Sequence, residues 1–335
     1  MDNEVRWGVL TTARIARNRF LPAAARAGNA RVVAISSASG SAAAVAQEFS
    51  VDRAYDSHEA LLADPDVDAV YVPFPNHLHR EWAVKAARAG KHVLCEKPLV
   101  PDWEGHHELV QATRETGVHL LEGFMYRFHE QHRVIAELLA SGALGELVSL
   151  HARVNFAIDR SPGEPRLREE QYGGALNDVG TYGVDVLNKL VGRPPSRVAG
   201  LGVSLSDPVD TSMAALLDYD GVLGTVDCGF EGPKDLTLRV TGTRGSVTAS
   251  NAFDPDPGEL VTLTIEGRDG STELREVADD AFRKEIEFFS GVVLDGGEAM
   301  PFRELTEWNL AVREALHLSM AEGRFVAPVV EAARV

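Results

Sequence analysis

The sequence predicts an α/β half followed by an α+β half, and three observations carry that prediction. Up to about residue 122, short apolar segments alternate with helical ones, several of them closed by glycine. Beyond that point the alternation stops, and β-rich runs separated by turns take over. The chain has 335 residues, enough for two hydrophobic cores.

In the first half, Val5 to Leu10 is a short, mostly apolar strand. Residues 14–27 follow with helical spacing (Ile15, Leu21, Ala24, Ala25) and Gly28 as a stop. Arg31 to Ile35 is a second strand and Ser41 to Phe49 a second helix. Val67 to Val72, His92 to Cys95 and Val118 to Leu121 are further strands. Helices over 77–89 and 102–116 lie between them, closed by Gly90 and Gly117. His106 and His107 are read as exposed on the second of these. Such alternation implies right-handed βαβ units and a parallel sheet covered on both faces.

In the second half, residues 129–140 and 177–191 read as helices and 146–156 as a long strand. Runs at 197–204, 212–217, 222–228, 236–241, 246–250 and 260–265 are spaced like hairpins of an antiparallel sheet. Helices near 280–294 and 303–322 close the chain. The expected domains are therefore 1–122 and 123–335, the last helices being free to pack back on the first.

Charge narrows the partners. The chain carries 33 Lys plus Arg against 50 Asp plus Glu, a net charge of −17. Residues 1–122 hold 13 basic and 16 acidic side chains, residues 123–335 hold 20 and 34. No basic face for a nucleic acid or a membrane surface is expected from this. No apolar run approaches the roughly 18 residues of a membrane span, and the acidic start, Met1-Asp2-Asn3-Glu4, does not read as a signal peptide. Cys95 and Cys228 lie far apart, as reduced thiols of a cytoplasmic protein would. His77 and His79 lack a matching carboxylate or cysteine set, so no metal site is expected.

The first turn reads Gly8-Val9-Leu10-Thr11-Thr12-Ala13-Arg14-Ile15-Ala16. In a dinucleotide fold this turn meets the pyrophosphate at a helix N-terminus. Here Thr11, Ala13 and Ala16 would stand at the three glycine positions; a simple capped helix start fits as well. Arg14, Arg17 and Arg19 add a small basic cluster that also reads as a solvated helix face. At the end of the second strand, Ser36-Ser37-Ala38-Ser39 lacks the acidic residue that binds a ribose 2′-hydroxyl, which leans toward NADP over NAD.

Three ordered segments go further. They are Tyr71-Val72-Pro73-Phe74-Pro75-Asn76-His77-Leu78-His79, Cys95-Glu96-Lys97-Pro98, and Gly173-Gly174-Ala175-Leu176-Asn177-Asp178-Val179-Gly180-Thr181-Tyr182. Together they resemble the glucose–fructose oxidoreductase/inositol dehydrogenase (Gfo/Idh/MocA) family of nicotinamide-dependent oxidoreductases, over nearly the whole chain. The resemblance implies an N-terminal Rossmann dinucleotide-binding domain. It also implies a C-terminal α+β domain with an open, mostly antiparallel sheet that joins subunits into a dimer or tetramer.

Carried over residue by residue, the resemblance makes Lys97 the active-site lysine and Asp178 the aspartate that holds substrate or the acid/base group. Tyr182 stands where the inositol dehydrogenase branch has histidine, as in the branch with dihydrodiol dehydrogenase, xylose dehydrogenase and sugar 3-ketoreductases. Thr11, Thr12, Ala13, Arg14, Ile15, Ser36, Ser37, Pro73, Asn76, His79, Glu96 and Lys97 would line the cofactor, NADP with NAD left open. Tyr126 and Arg127, in Glu122-Gly123-Phe124-Met125-Tyr126-Arg127-Phe128-His129, would reach the substrate with Asp178 and Tyr182. The departures are Tyr172 for a loop glycine, Asn177 for an apolar residue, and Ala38 for a phosphate-binding arginine.

Hydride exchange at an alcohol carbon needs a proton donor or acceptor beside it. Asp178 and Tyr182 are four apart, hence on one helix face. A tyrosine near pKa ~10 is a poor base at neutral pH, and a nearby ammonium would favour its phenolate. Tyr182 is therefore assigned as acid/base, Lys97 as its electrostatic partner, and Asp178 as the orienting group. From the residues alone, Tyr182 also fits as a helix residue covering a cleft, Asp178 as a helix cap, and Lys97 as a strand-end charge. Arg160, Arg166 and Arg168 read mainly as surface charge, with an acidic or phosphorylated substrate as the other option. The expected activity is that of an aldose dehydrogenase or keto-sugar reductase. The alternatives are a non-catalytic NAD(P)-binding regulator and an NAD-retaining glycosidase.

Overall fold

The computed structural model describes residues 4–161, 163–205 and 207–331, so the start Met1 to Asn3 lies outside it. The chain divides into two compact units. One takes in the chain up to Met125 together with Asp280–Arg303, the other Tyr126–Asp279 together with the chain from Glu304.

In the first unit, β1 (Val5–Leu10), β2 (Ala30–Ser36), β3 (Arg53–Tyr55), β4 (Ala69–Val72), β5 (His92–Glu96) and β6 (Leu120–Gly123) form one sheet. Its order is β3-β2-β1-β4-β5-β6 and every pair is parallel. The order in which strands are added reverses between β1 and β4, and ligands of such sheets bind at the carboxyl ends beside that point. A π-type turn, Ala16–Phe20, leads into α1 (Leu21–Ala24); α2 (Ala42–Phe49), α3 (His58–Leu62), α4 (Asn76–Arg88) and α5 (Trp103–Thr116) follow. Asp102 caps α5 through the Gly105 N–H, and Gly117 ends it at φ 72°. His106 turns inward from α5, 1 % exposed against Trp103, contrary to the exposed position expected for it. The apolar side of a covering helix extends further round than the aliphatic residues alone suggest.

In the second unit, α6 (Glu130–Ala140) precedes β7 (Leu147–Asn155), and α7 (Thr181–Val191) precedes β8 (Arg197–Val203). Then come β9 (Ser212–Asp218), β10 (Leu223–Gly229), β11 (Leu238–Gly242), β12 (Gly245–Ala249), β13 (Val261–Gly267) and β14 (Thr272–Val277). The sheet runs β14-β13-β12-β11-β7-β10-β9-β8, antiparallel except for the β7–β10 pair. One face is buried through Leu150, Ala152, Val154, Val226 and Val240; the other leaves Leu201, Leu216 and Leu223 exposed. Next, α8 (Ala281–Asp295) belongs to the first unit, where the Trp7 indole N–H donates to Ser290 and the ring meets Phe289. Finally, α9 (Arg303–Glu322) joins the second unit from Glu304 onward.

Candidate active site

The turn after β1 is held open by its backbone. Thr11 sits at φ 87°, where glycine is the usual occupant, and its N–H donates to the Ser36 carbonyl at 3.0 Å. Thr12, Ala13 and Ile15 are half-buried and Arg14 is exposed. Arg17 is paired with Glu48 at 2.7 Å. Beside this turn lies a hydroxyl cluster: Thr12 Oγ1 is 2.7 Å from Ser41 Oγ, and the Ser37, Ser39 and Ser41 hydroxyls lie 2.9–3.0 Å from one another. The cluster brings together donors without a carboxylate among them, a donor set that fits the 2′-phosphate of NADP. Ser36 is different. Its hydroxyl lies 2.8 Å from His58 Nδ1, while its carbonyl accepts the Thr11 N–H of the turn.

Lys97 rides a turn pinned from three elements. Tyr71 of β4 donates its hydroxyl to Glu96 at 2.6 Å. Glu122 of β6, 4 % exposed, accepts the Leu99 N–H at 3.0 Å. His79 of α4 lies between two carbonyl oxygens, Nδ1 2.8 Å from Pro98 and Nε2 2.7 Å from Phe74. Burial pushes its imidazole down to about 4. A neutral ring can donate to only one of the two carbonyls. His79 therefore ties the end of β4 to the turn after β5 and is interior, unlike a residue that faces a ligand. Pro73 is buried, whereas Asn76, Glu96 and Lys97 are half-buried at the rim of the sheet.

The second unit builds the Asp178–Tyr182 segment on a glycine turn. Gly173 donates to the Arg168 carbonyl at 2.9 Å and Gly174 to the Arg166 carbonyl at 2.8 Å. A Cβ on Gly173 would stand 2.5 Å from the Arg166 oxygen, and Gly174 sits at φ 104°, so this approach requires glycine at both positions. Tyr172, the departure noted above, adopts φ 59°, the conformation a glycine would take there. The helix start is capped by Asp210, whose carboxylate accepts from the Leu176 N–H at 2.8 Å and whose acid is pushed up to about 6 by burial. A wider π-type turn, Leu176–Gly180, carries Asp178 into α7, which carries Tyr182. Such turns recur at functional sites. Both side chains are half-buried, and Tyr182 leans its ring toward Tyr126 and Phe253.

Tyr126 and Arg127 are buried beside this segment. They are 0 % and 7 % exposed, and both bond to Asp185 of α7, which is itself 0 % exposed. Asn309 of α9 also donates to Asp185. Burial, then the Asp185 charge, holds the Tyr126 phenol well above its usual range. Lys189 lies 5.9 Å over the Tyr126 ring, its ammonium pushed down to about 8 by burial. Tyr126, Arg127 and Asn309 hold α7 in place through the Asp185 carboxylate. Reading the sequence missed Asp185, Asp210, Tyr71 and Glu122. Asp185 gave one signal, an acid set among Val184, Val186 and Leu187, where a buried charge must find partners.

A parallel sheet of this order, with small and hydroxyl side chains at its first turn and a lysine on a pinned strand end, defines a nicotinamide-dinucleotide-dependent oxidoreductase. Residues 5–124 match the model of an oxidoreductase family with an NAD-binding Rossmann fold, and residues 132–248 match the GFO/IDH/MocA C-terminal domain. The chain belongs to the Gfo/Idh/MocA family. It is 35 % identical to D-xylose 1-dehydrogenase (NADP(+)) 2 of Haloferax volcanii, over 96 % of this chain and 98 % of that one. It is also 35 % identical to a dTDP-3,4-didehydro-2,6-dideoxy-alpha-D-glucose 3-reductase of Actinomadura kijaniata, over 88 % and 89 %. A crystal structure of a 3-ketoreductase from Actinomadura kijaniata with NADP and TDP-benzene superposes with a TM-score of 0.87 at 33 % identity, covering 95 % and 98 %.

Proposed function

We propose that this protein exchanges a hydride between NADP and a hydroxyl or carbonyl carbon of a sugar. The observation that carries the reading is the Asp178–Tyr182 segment, a phenol and a carboxylate about one helical turn apart, both half-buried. NADP is supported by the hydroxyl cluster and by the NADP-linked relatives. Thr11, Thr12, Ala13, Arg14 and Ile15 would follow the pyrophosphate, Ser37 and its neighbours the 2′-phosphate, and Pro73, Asn76, Glu96 and Lys97 the nicotinamide end.

Bound there, the nicotinamide would supply or accept the hydride. Tyr182 would pass the accompanying proton to or from the reacting oxygen, Asp178 would orient the sugar, and the Lys97 ammonium would anchor that oxygen and favour its negative charge. A spectrophotometric screen with NADP and NAD against aldoses, polyols, keto sugars and nucleotide sugars tests the reading. Turnover of at least one sugar, faster with NADP, is expected. Tight NADP binding with no turnover across the panel would favour a regulator; glycoside cleavage by protein retaining NAD would favour the glycosidase alternative.

The exposed sheet face, with Leu201 70 %, Leu223 60 % and Leu216 51 % accessible, supports a homo-oligomer joined through that sheet. Light scattering should give a dimer or tetramer, and Leu201→Glu with Leu216→Glu should lower it. Among the described residues no helix is long and apolar enough to cross a membrane. Two free, buried cysteines are in keeping with the cytoplasm.

A further inference from the structure

We infer that Arg166 is a positioning residue for Asp178, and that the 164–168 turn belongs to the substrate site. The inference rests on the oxidoreductase reading above and deepens it.

Arg166 Nε lies 2.8 Å from Asp178 Oδ2, with side chains 32 % and 13 % exposed. Its Nη1 lies 3.7 Å from Glu164, so one guanidinium serves two carboxylates. The neighbouring arginines make other pairs: Arg160 with Asp207 and Glu231, Arg168 with Glu170. Among the described residues, it is Arg166 of the three that pairs with the π-type turn leading into α7.

The backbone delivers it there. The Arg166 carbonyl accepts the Gly174 N–H, and the absence of a Cβ on Gly173 lets the two segments touch. Asp178 N–H donates in turn to the Gly174 carbonyl at 3.0 Å. Turn, glycine pair and aspartate thus form one connected frame. A guanidinium holding one carboxylate oxygen sets the rotation of the whole carboxylate, which is what orienting a sugar hydroxyl requires. A lysine would keep the charge but lose the planar fork. Among the described residues, the ionisable groups near this helix start include Asp210 before β9, Cys228 of β10, Tyr182 of α7 and His317 of α9, whose Nε2 bonds Asn177.

The test uses the full-length protein as Arg166→Gln and Arg166→Lys, with thermal unfolding checked for each. In the glutamine variant, kcat/KM for the sugar should fall at least tenfold while NADP affinity stays within twofold. The acidic limb of its pH profile should move up, because the substitution removes a positive charge 2.8 Å from the Asp178 carboxylate. Arg166→Lys should bring the limb back while recovering only part of kcat/KM. A kcat/KM within twofold of wild type, or a lowered melting temperature with an unmoved profile, would overturn the inference. NMR titration of 13C-labelled aspartate, with Asp178 assigned through Asp178→Asn, reads the same pairing without substrate. An Asp178 midpoint unchanged in Arg166→Gln overturns the inference even if the wild-type protein turned over no sugar, which would count instead against the oxidoreductase reading.

Discussion

Arg127 donates to Asp185 from Nε at 3.0 Å, and the two side chains are 1 % and 0 % exposed. Tyr126 and Asn309 converge on the same carboxylate. Removing one partner of such a pair leaves an uncompensated buried charge, which costs about 3–5 kcal/mol. Asp185→Asn should therefore lower stability by about that amount, read as a drop in urea midpoint at constant slope. A midpoint within experimental error of wild type would show that the pair adds nothing to holding α7.

Tyr182 is the test of chemistry as distinct from binding. General acid–base catalysis contributes typically ~10²–10⁴-fold. Tyr182→Phe keeps the ring contacts with Tyr126 and Phe253 and removes only the hydroxyl. Its kcat should fall by about that factor with NADP affinity unchanged. Near wild-type turnover would remove Tyr182 from the role and leave Lys97 as the proton carrier.

Cofactor choice turns on the hydroxyl cluster. Ser39 is exposed, and its hydroxyl lies 2.9 Å from Ser37 and 3.0 Å from Ser41. A carboxylate placed there repels a 2′-phosphate and offers an acceptor to a 2′-hydroxyl. Ser39→Asp should weaken NADP binding about tenfold or more and leave NAD unchanged or tighter, measured as the ratio of kcat/KM values. An unaltered ratio would place the 2′-phosphate elsewhere.

Thr11 is a β-branched residue at φ 87°, a strained conformation of order 1–3 kcal/mol. Thr11→Gly relieves it, although glycine also gains freedom in the unfolded chain. The net expectation is a gain of about 1 kcal/mol in thermal or urea unfolding, with NADP binding retained. Destabilisation by the glycine would mean that the Thr11 side chain contributes more than its backbone costs.

The alternation of apolar strands and glycine-closed helices made the first sheet legible, since buried parallel strands leave continuous apolar runs. Edge strands left no such trace. Arg53–Tyr55 is three residues long with Arg53 in ion pairs, and Thr272–Val277 is largely exposed, so β3 and β14 were not foreseen. The candidates Lys97, Asp178 and Tyr182 stand out in the sequence because their motifs sit at strand and helix ends. The partners that fix them do not. The contacts of Tyr71 with Glu96, Asp210 with Leu176 and Arg166 with Asp178 join residues 12 to 34 positions apart, and no local periodicity reports them.

Acid sensitivity follows from the buried histidines. His79 and His132, 1 % and 3 % exposed, are pushed by burial down to about 4 and about 3. In the unfolded chain each titrates near ~6.5, so below that pH the unfolded state binds more protons and stability falls. The loss runs from pH ~6.5 down through the folded values and amounts to about 2 kcal/mol per histidine by pH 5. Asp210 has the opposite sign. Its folded value of about 6 lies above the unfolded one, so the native state takes up that proton first and regains part of the loss. Urea midpoints at pH 7, 6 and 5 should fall, more shallowly in His132→Gln and more steeply in Asp210→Asn. A midpoint constant over that range would mean that His79 and His132 are protonated in the native state, with His79 donating to both the Phe74 and the Pro98 carbonyls.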